Sequence, residues 1–298
     1  MSDLLQLLVA GVSLGAVYAL VCAGFVTIYK ATGIINFAQG GFVLLGALFA
    51  HQLRIGFALP FWLSVVGAMV ASAALGAAVE RVILRPLVGK PVFAVTMVSL
   101  GLLIILEQAG AAGWGYDPLL LGDPWGVDTV SLGGVTAKVA DLWTIGAAAV
   151  VLVALYLFFT YSLHGVAMRA SADDPEAALA SGIGAGAVNG VAWALAGAIA
   201  ALAGILLASG SRGVDLSLSA IALRAFPAMI LGGMDSPSGA VAGGIIIGVT
   251  EVLAAGYITP HAPWLGANVH TVAPYVVMLI VLLVRPYGIA GTPEVRRV

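Results

Sequence analysis

The sequence predicts an all-α fold, a polytopic membrane helix bundle of eight or nine spans with one short helix on the cytoplasmic side. Three observations predict it. Apolar residues make up 61% of the 298 residues and charged residues 9%, whereas soluble domains carry about 25% charged residues. Mean hydropathy is +1.11. Apolar stretches of the length needed to cross a bilayer, about 20 residues, recur along the chain.

Nine stretches are candidate spans. The second and seventh are short and interrupted by Gly or Pro. Each of these two either crosses the bilayer fully or re-enters on the same side, so eight crossings are the alternative to nine. The nine candidates are 4–28, 34–51, 57–80, 92–113, 139–160, 191–211, 216–232, 239–257 and 271–285.

The first span is predicted to be retained, because no basic segment precedes it and its apolar run exceeds a signal-peptide core. Cys22, the single cysteine, lies within this run and excludes an intrachain disulfide. A small core residue explains it better than a reactive thiol. The net charge of −2 argues against a nucleic-acid partner.

The basic residues predict an N-terminus outside and a C-terminus in the cytoplasm. This orientation places eight of them inside and three outside, as the positive-inside rule requires. Those inside are Lys30, Arg81, Arg85, Lys90, Arg169, Arg285, Arg296 and Arg297, and those outside are Arg54, Lys138 and Arg212. The outer loop 114–138 is expected to be irregular.

Glycines suited to close helix packing recur in the spans. Gly11 and Gly15 form a GxxxG pair in the first span, and four glycines line one face of the eighth. Such spacing lets helix backbones approach closely in lipid. The four in the eighth span are Gly239, Gly243, Gly244 and Gly248.

The inner loop 161–190 is predicted to contain a short helix. Asp174 suits an N-cap and Pro175 the first helical position. Glu176 then lies in the first turn, where the helix dipole favours an anion, and Gly182 suits the position after the last turn. About seven residues, roughly 10 Å, would lie on the cytoplasmic face. This helix would offer its apolar side chains for docking: Ala177, Ala178, Leu179 and Ile183.

The spacing Glu176-Ala177-Ala178-x-x-x-Gly182 resembles the EAA-type loop of ABC importer permeases, whose short helix docks into a groove on the ATPase subunit. The resemblance implies that Asp174, Pro175, Glu176, Ala177, Ala178 and Gly182 couple this chain to ATPases.

Four further segments resemble the branched-chain amino acid permease family, the LivH-like group, and together they extend over nearly the whole chain. They are Gly33–Phe42, Arg85–Leu87, Ile230–Gly239 and Arg285–Gly288. The resemblance implies one permease domain over residues 1–298 in a bacterial inner membrane. It also implies four partners: a second permease, commonly a different one, two ATPases that use ATP, and a periplasmic binding protein. No cofactor is expected on this chain.

Two departures from the family pattern bear on the substrate. Position 39 is Gln where relatives often have His, and residues 235–238 read Asp-Ser-Pro-Ser. Branched-chain amino acids are the family default, but relatives carry amides, urea and other small solutes. The sequence leaves the substrate open within this range.

Asn36, Gln39, Gly40 and Gly41 suggest a broken helix at membrane depth. Unwound backbone is tolerated there only where it lines a cavity or is buried in protein. The amides are therefore expected either to line a substrate path or to form a polar contact between helices.

Three charges lie within predicted spans and away from their ends: Glu107, Arg224 and Glu251. A charge at the bilayer centre costs about 2.5–3.5 kcal/mol, so each needs a partner or a wet cavity. Arg224 and Glu251 are a candidate pair, and Glu107 is a candidate for the substrate path. Structural pairing and substrate contact remain equal alternatives for all three.

The sequence argues against a catalytic or metal site on this chain. The histidines lack metal-ligand spacing, and helix capping explains Asp173–Glu176 better than metal binding does. No Walker A or HExxH motif is present, so any ATP hydrolysis belongs to another chain. An ABC permease subunit is favoured over a stand-alone channel or secondary transporter, and an intramembrane enzyme is the weakest alternative.

Overall fold

The computed structural model describes residues 2–132, 135–210, 212–262, 264 and 268–291. Over these residues the chain is a polytopic helical membrane protein. Six of its described helices are long and apolar enough to cross a bilayer: Asp3–Thr32, Phe61–Leu87, Val92–Trp114, Val139–Tyr161, Gly186–Ala208 and Pro237–His261. Arg296 and Arg297, counted above for orientation, lie outside the described residues.

The longest connection between consecutive described helices, residues 115–138, lies between Val92–Trp114 and Val139–Tyr161. The first half of the chain contains α1 Ser2–Thr32, α2 Gln39–His51, α3 Phe61–Val79, α4 Val92–Trp114 and α5 Val139–Tyr161. The second half contains α6 Leu163–Asp173, α7 Pro175–Ala180, α8 Ala185–Ala208, α9 Ser217–Leu223, α10 Phe226–Gly232, α11 Pro237–Leu253, α12 Thr259–His261 and α13 Val269–Val284. Wide π turns extend α2 and α3, over Gln52–Gly56 and Glu80–Leu84.

A helix lies within each of the nine predicted spans, but some bounds and lengths differ. The second span begins at Gln39 instead of residue 34, because the preceding residues leave the helical conformation. α8 begins at Ala185, six residues before the predicted span. The seventh span is divided into α9 and α10 by two non-helical residues, 224–225.

The end of α1 has a local cause. The Thr32 hydroxyl donates to the Ile28 carbonyl oxygen at 2.8 Å and accepts from the Ile34 N–H at 3.2 Å. Gly33 follows with φ +68°, a conformation that glycine adopts without the steric cost of a Cβ. The chain therefore turns out of the helix before Asn36.

The prediction that the outer loop is irregular is wrong for its second half. Strands β1, Thr129–Leu132, and β2, Val135–Lys138, pair antiparallel with Thr129 opposite Lys138 and Leu132 opposite Val135. Val130 and Leu132 alternate with polar residues, the pattern of a strand. The turn residues 133–134 lie outside the described part.

The described chain divides into two compact units. One comprises Met1–Val26, Val127–Ala149 and Arg224–Val298, and the other comprises Thr27–Gly126 and Val150–Leu223. Each contains its own packed core.

In the first unit, α11 packs through glycines on two sides. A Cβ on Gly248 would overlap the backbone of Gly15 in α1, and one on Gly243 would overlap the Ala228 carbonyl in α10. Gly244 likewise lies against the Ala19 backbone. These contacts bring helix backbones together where lipid supplies no hydrophobic drive.

In the second unit, α8 packs closely against α3 and α2. A Cβ on Gly76 would overlap the Trp193 carbonyl, and one on Gly197 would overlap that of Ser72. Gly204 lies similarly against Val43 of α2. As a result α2 is buried along almost its whole length.

Candidate substrate path and docking helix

The broken segment before α2 lies partway along α4. The Ser99 hydroxyl of α4 accepts from the Phe37 N–H at 3.2 Å, and Ser99 is seven residues, about 10 Å, from the start of α4 at Val92. The other end of α2 reaches the end of α4, where Trp114 Nε1 donates to Gln52 Oε1 at 3.1 Å. α2 is therefore a discontinuous helix that begins within the depth spanned by α4, an arrangement that occurs at transport sites.

The two amides of the segment bond to protein groups. Asn36 Oδ1 accepts from the Ala38 N–H at 3.0 Å, and Asn36 Nδ2 donates to Gln39 Oε1 at 3.4 Å. Gln39 Nε2 donates to the Ala196 carbonyl oxygen of α8 at 3.3 Å. Both side chains are buried. In this conformation the amides correspond to the alternative of a polar helix–helix contact.

Gly40 and Gly41 let two other helices approach the start of α2. A Cβ on Gly40 would come within 2.6 Å of the Ser219 carbonyl oxygen in α9, and one on Gly41 within 2.8 Å of Leu106 Cβ in α4. The glycines thus bring α9 and the Leu106–Glu107 turn of α4 to the same end of α2.

Glu107 completes this cluster. Its Oε1 accepts from the hydroxyl of Ser219 at 2.5 Å, and that hydroxyl also lies 2.8 Å from the Leu216 carbonyl oxygen. Ser219 is buried, whereas Glu107 is half-buried. The structure therefore brings four predicted path residues, Gln39, Gly40, Gly41 and Glu107, into the neighbourhood of Ser219, a residue that sequence reasoning missed.

Arg224 and Glu251 are brought together. Arg224 Nη1 lies 3.4 Å from Glu251 Oε1, and the Tyr18 hydroxyl donates to Glu251 Oε2 at 2.6 Å. The side chain of Glu251 is 7% exposed and that of Arg224 35%. Because Arg224 and Tyr18 contact one carboxylate oxygen of Glu251 each, their interactions offset the desolvation cost of burying this charge. The sequence did not indicate this role of Tyr18, because Glu251 is 233 residues further along the chain.

Arg224 lies at the break between α9 and α10. The adjacent Ala225 carbonyl oxygen accepts from the Cys22 thiol at 3.1 Å, and the Phe25 and Phe226 rings pack edge to face at 6.2 Å. Pro227 follows within the first turn of α10 and has no N–H to donate. Cys22, buried as expected, is a second donor to the Ala225 carbonyl oxygen, which also accepts from the Met229 N–H at 3.0 Å.

The capping predictions for the short helix α7 are confirmed. Asp174 Oδ1 accepts from the Glu176 and Ala177 N–H groups at 3.1 and 3.0 Å, and Pro175 begins α7. Gly182 has φ +83°. The Ile183 N–H donates to the Ala178 carbonyl oxygen at 2.9 Å, which completes a Schellman cap.

α7 exposes part of the predicted docking surface. Leu179 is 58% exposed, and Glu176 and Ala177 are exposed as well. Ala178 is instead buried, because α7 packs against α6. The expectation that the Ala178 side chain is offered for docking is therefore wrong. Sequence reasoning also missed α6, which occupies the first part of the 161–190 loop.

An ion pair lies against the start of α8, close after α7 in the chain. Arg85 Nε lies 3.8 Å from Glu80 Oε1, and the Glu80 side chain is 4% exposed. The Arg85 guanidinium occupies the space that a Cβ on Gly186 would need, and Glu80 Oε2 faces Gly190. The basic residue of the Arg85–Leu87 motif thus packs on the helix that follows the docking segment.

Within the described residues, no three His, Cys, Asp or Glu side chains are placed to hold a metal ion. His51 Nδ1 instead lies 2.7 Å from the Leu120 carbonyl oxygen, in the segment that follows α4.

Comparison with known proteins assigns the chain to a family. The family described as branched-chain amino acid transport system / permease component matches residues 7–283. This chain belongs to the branched-chain amino acid permease family. The resemblance seen in the sequence motifs is thereby confirmed.

Relatives in this family align with the chain over nearly the full length of both sequences. The chain is 32% identical to the high-affinity branched-chain amino acid transport system permease protein LivH of Escherichia coli K12, over 99% of this chain and 97% of the relative. It is 29% identical to BraD of Pseudomonas aeruginosa, with 99% and 98% covered. A structure of PsaBC from Streptococcus pneumoniae in complex with Fab shares 15% identity, with a TM-score of 0.48 and 93% and 91% covered.

Proposed function

We propose that this chain is the transmembrane permease subunit of an ABC importer that moves branched-chain amino acids, or a similar small polar solute, inward. The observation that carries the proposal is the family match over residues 7–283. It is supported by relatives described as high-affinity branched-chain amino acid permeases that align with 99% of the chain.

The energy comes from two separate cytoplasmic ATPase subunits, which use the ATP, and this chain carries no cofactor. α7 is the docking element, with Asp174, Pro175 and Gly182 shaping the helix and Glu176 and Ala177 on its surface. The exposed, doubly capped helix supports this role, because a rigid helix transmits displacement without unwinding.

The remaining partners are a second homologous permease and a periplasmic binding protein. The chain forms one permease domain over residues 1–298 in the bacterial inner membrane, with eight or nine crossings. Its N-terminus is outside and its C-terminus in the cytoplasm. The two counts differ in whether α2, with 13 residues, and the α9–α10 segment, with two seven-residue helices, both cross fully.

The substrate path runs past the start of α2, where Gln39, Gly40, Gly41 and Glu107 meet. Asn36 and Gln39 bond to protein groups here, so their role is to hold the broken segment until a conformational change exposes it. The half-buried Glu107 is the member already accessible.

The test is purification of this chain from native membranes in mild detergent, with mass spectrometry of what accompanies it. Two P-loop ATPases and a second permease are expected. Recovery of the chain alone, together with solute flux in vesicles that contain only this chain, would contradict the proposal and favour a stand-alone channel or carrier.

A substitution on α7 sharpens the test. Leu179→Asp should reduce ATPase recovery at least about tenfold, because it places a charge in an apolar contact. The matched control is Leu120→Asp, also at an exposed leucine, but on the segment proposed to lie outside. Equal ATPase recovery from the two variants would rule out α7 as the docking site.

A further inference from the structure

Glu107 is a carboxylate at membrane depth. It lies fifteen residues after the start of the 23-residue helix α4 and seven before its end, which is about 22 Å and 10 Å along the helix axis. Both distances place it well inside the hydrocarbon region, where ionisable groups face a water-filled cavity or a partner of opposite charge.

No cation in the described part of the chain pairs with Glu107. The carboxylates of Glu80 and Glu251 each have an arginine within 4 Å, at 3.8 and 3.4 Å. Glu107 instead accepts a hydrogen bond from a neutral group, the hydroxyl of Ser219. Its side chain is half-buried, unlike the buried Glu80 and Glu251. Glu107 thus remains reachable and lacks a counter-charge.

Ser219 holds the carboxylate in place. It is 1% exposed, and its hydroxyl lies between Glu107 Oε1 and the Leu216 carbonyl oxygen. Its backbone is pressed against Gly40, where a Cβ would not fit. One carboxylate oxygen is therefore fixed from the buried side, and the other keeps its lone pairs for a ligand.

We propose that Glu107, positioned by Ser219, binds the α-ammonium group of a zwitterionic amino acid in the path. This inference rests on the proposed function and names the chemistry that recognises the substrate. An ammonium group supplies the missing positive charge and three hydrogen-bond donors, and charge-assisted bonds of this kind are the strong ones.

The test measures equilibrium binding of labelled L-leucine to the complete purified importer without its binding protein, with the 2-hydroxy analogue of leucine as competitor. The wild type should prefer leucine to the analogue. Glu107→Gln should raise the leucine dissociation constant at least about tenfold and leave that of the analogue unchanged. Ser219→Ala should raise it less, and Glu107→Asp should retain the preference.

Two controls match these substitutions. Glu251→Gln removes a membrane-depth carboxylate whose partners are protein groups, and Ser209→Ala removes a buried hydroxyl that donates to the Ile205 carbonyl oxygen. Both should leave the leucine dissociation constant unchanged in assembled complexes.

Unchanged leucine affinity in Glu107→Gln would overturn the assignment. So would an absence of leucine binding in an importer that transports leucine. If Glu107→Gln instead loses the second permease on purification and keeps its preference for leucine, the missing cation belongs to that subunit. An importer that does not transport amino acids at all would show that the proposed function has failed.

Discussion

Arg224 and Glu251 form an ion pair in which loss of either member leaves the other charge buried. Glu251 also accepts from the Tyr18 hydroxyl at 2.6 Å, so one carboxylate joins α1, α11 and the break between α9 and α10. Replacing both charges together should cost less than replacing one, because desolvation offsets much of the attraction within a buried pair.

Glu251→Gln and Arg224→Met should each lower the free energy of unfolding by about 3 kcal/mol, and the double variant by less than either single variant. Tyr18→Phe, which leaves the pair in place, should cost about 1.5–3 kcal/mol. Thermal unfolding of the purified protein in detergent measures all four. Additive losses would show that the pair is not coupled.

Contacts between residues close in the chain could be predicted from the sequence, and contacts between residues far apart in the chain could not. The Asp174 cap and the Gly182 turn depend on residues within about one helical turn, so their spacing identified α7. The Ser219–Glu107 contact spans 112 residues, and neither residue has a local pattern that indicates the other. Glu107 was identified only because a charge within a span requires an explanation.

At the level of helices and strands, the elements that the sequence did not predict are those too short to produce a recognisable hydrophobic pattern. The hairpin Thr129–Lys138 was hidden because each strand has only four residues. α6 was not predicted because its 11 residues are too few for a span. The broken start of α2 was indicated by Gly and amide residues, but Thr32, whose hydroxyl caps the end of α1, was not singled out.

Gly248 packs where a side chain has no room. Gly248→Ala should lower the free energy of unfolding by about 1–3 kcal/mol, because its Cβ would overlap the Gly15 backbone. Gly113→Ala is the control, since an added Cβ there meets nothing within 4 Å, and it should be neutral or stabilising by up to about 1 kcal/mol. Thermal unfolding compares them, and equal effects would show that α1 and α11 do not pack through these glycines.

The orientation of the whole chain rests on basic residues and is open to a direct measurement. Cys22 is 0% exposed, so we expect the unsubstituted chain not to react with a maleimide, and it serves as the unlabelled control. With Cys22→Ala, a cysteine introduced by Asp117→Cys should react with an impermeant maleimide from outside, and one from Ser181→Cys only from the cytoplasmic side. Both positions are exposed. The reverse pattern would invert the proposed topology.

The shortness of α2 has a consequence for how membrane thickness acts on this protein. Its 13 residues extend about 20 Å, well short of a bilayer of about 30 Å, yet it is buried among other helices and does not need to match the lipid. α4 and α5, with 23 residues each, extend about 34 Å and expose apolar side chains. In a thicker or thinner bilayer, α4 and α5 would therefore change their tilt to match the lipid. The depth of the broken segment before α2 would be set by protein contacts alone.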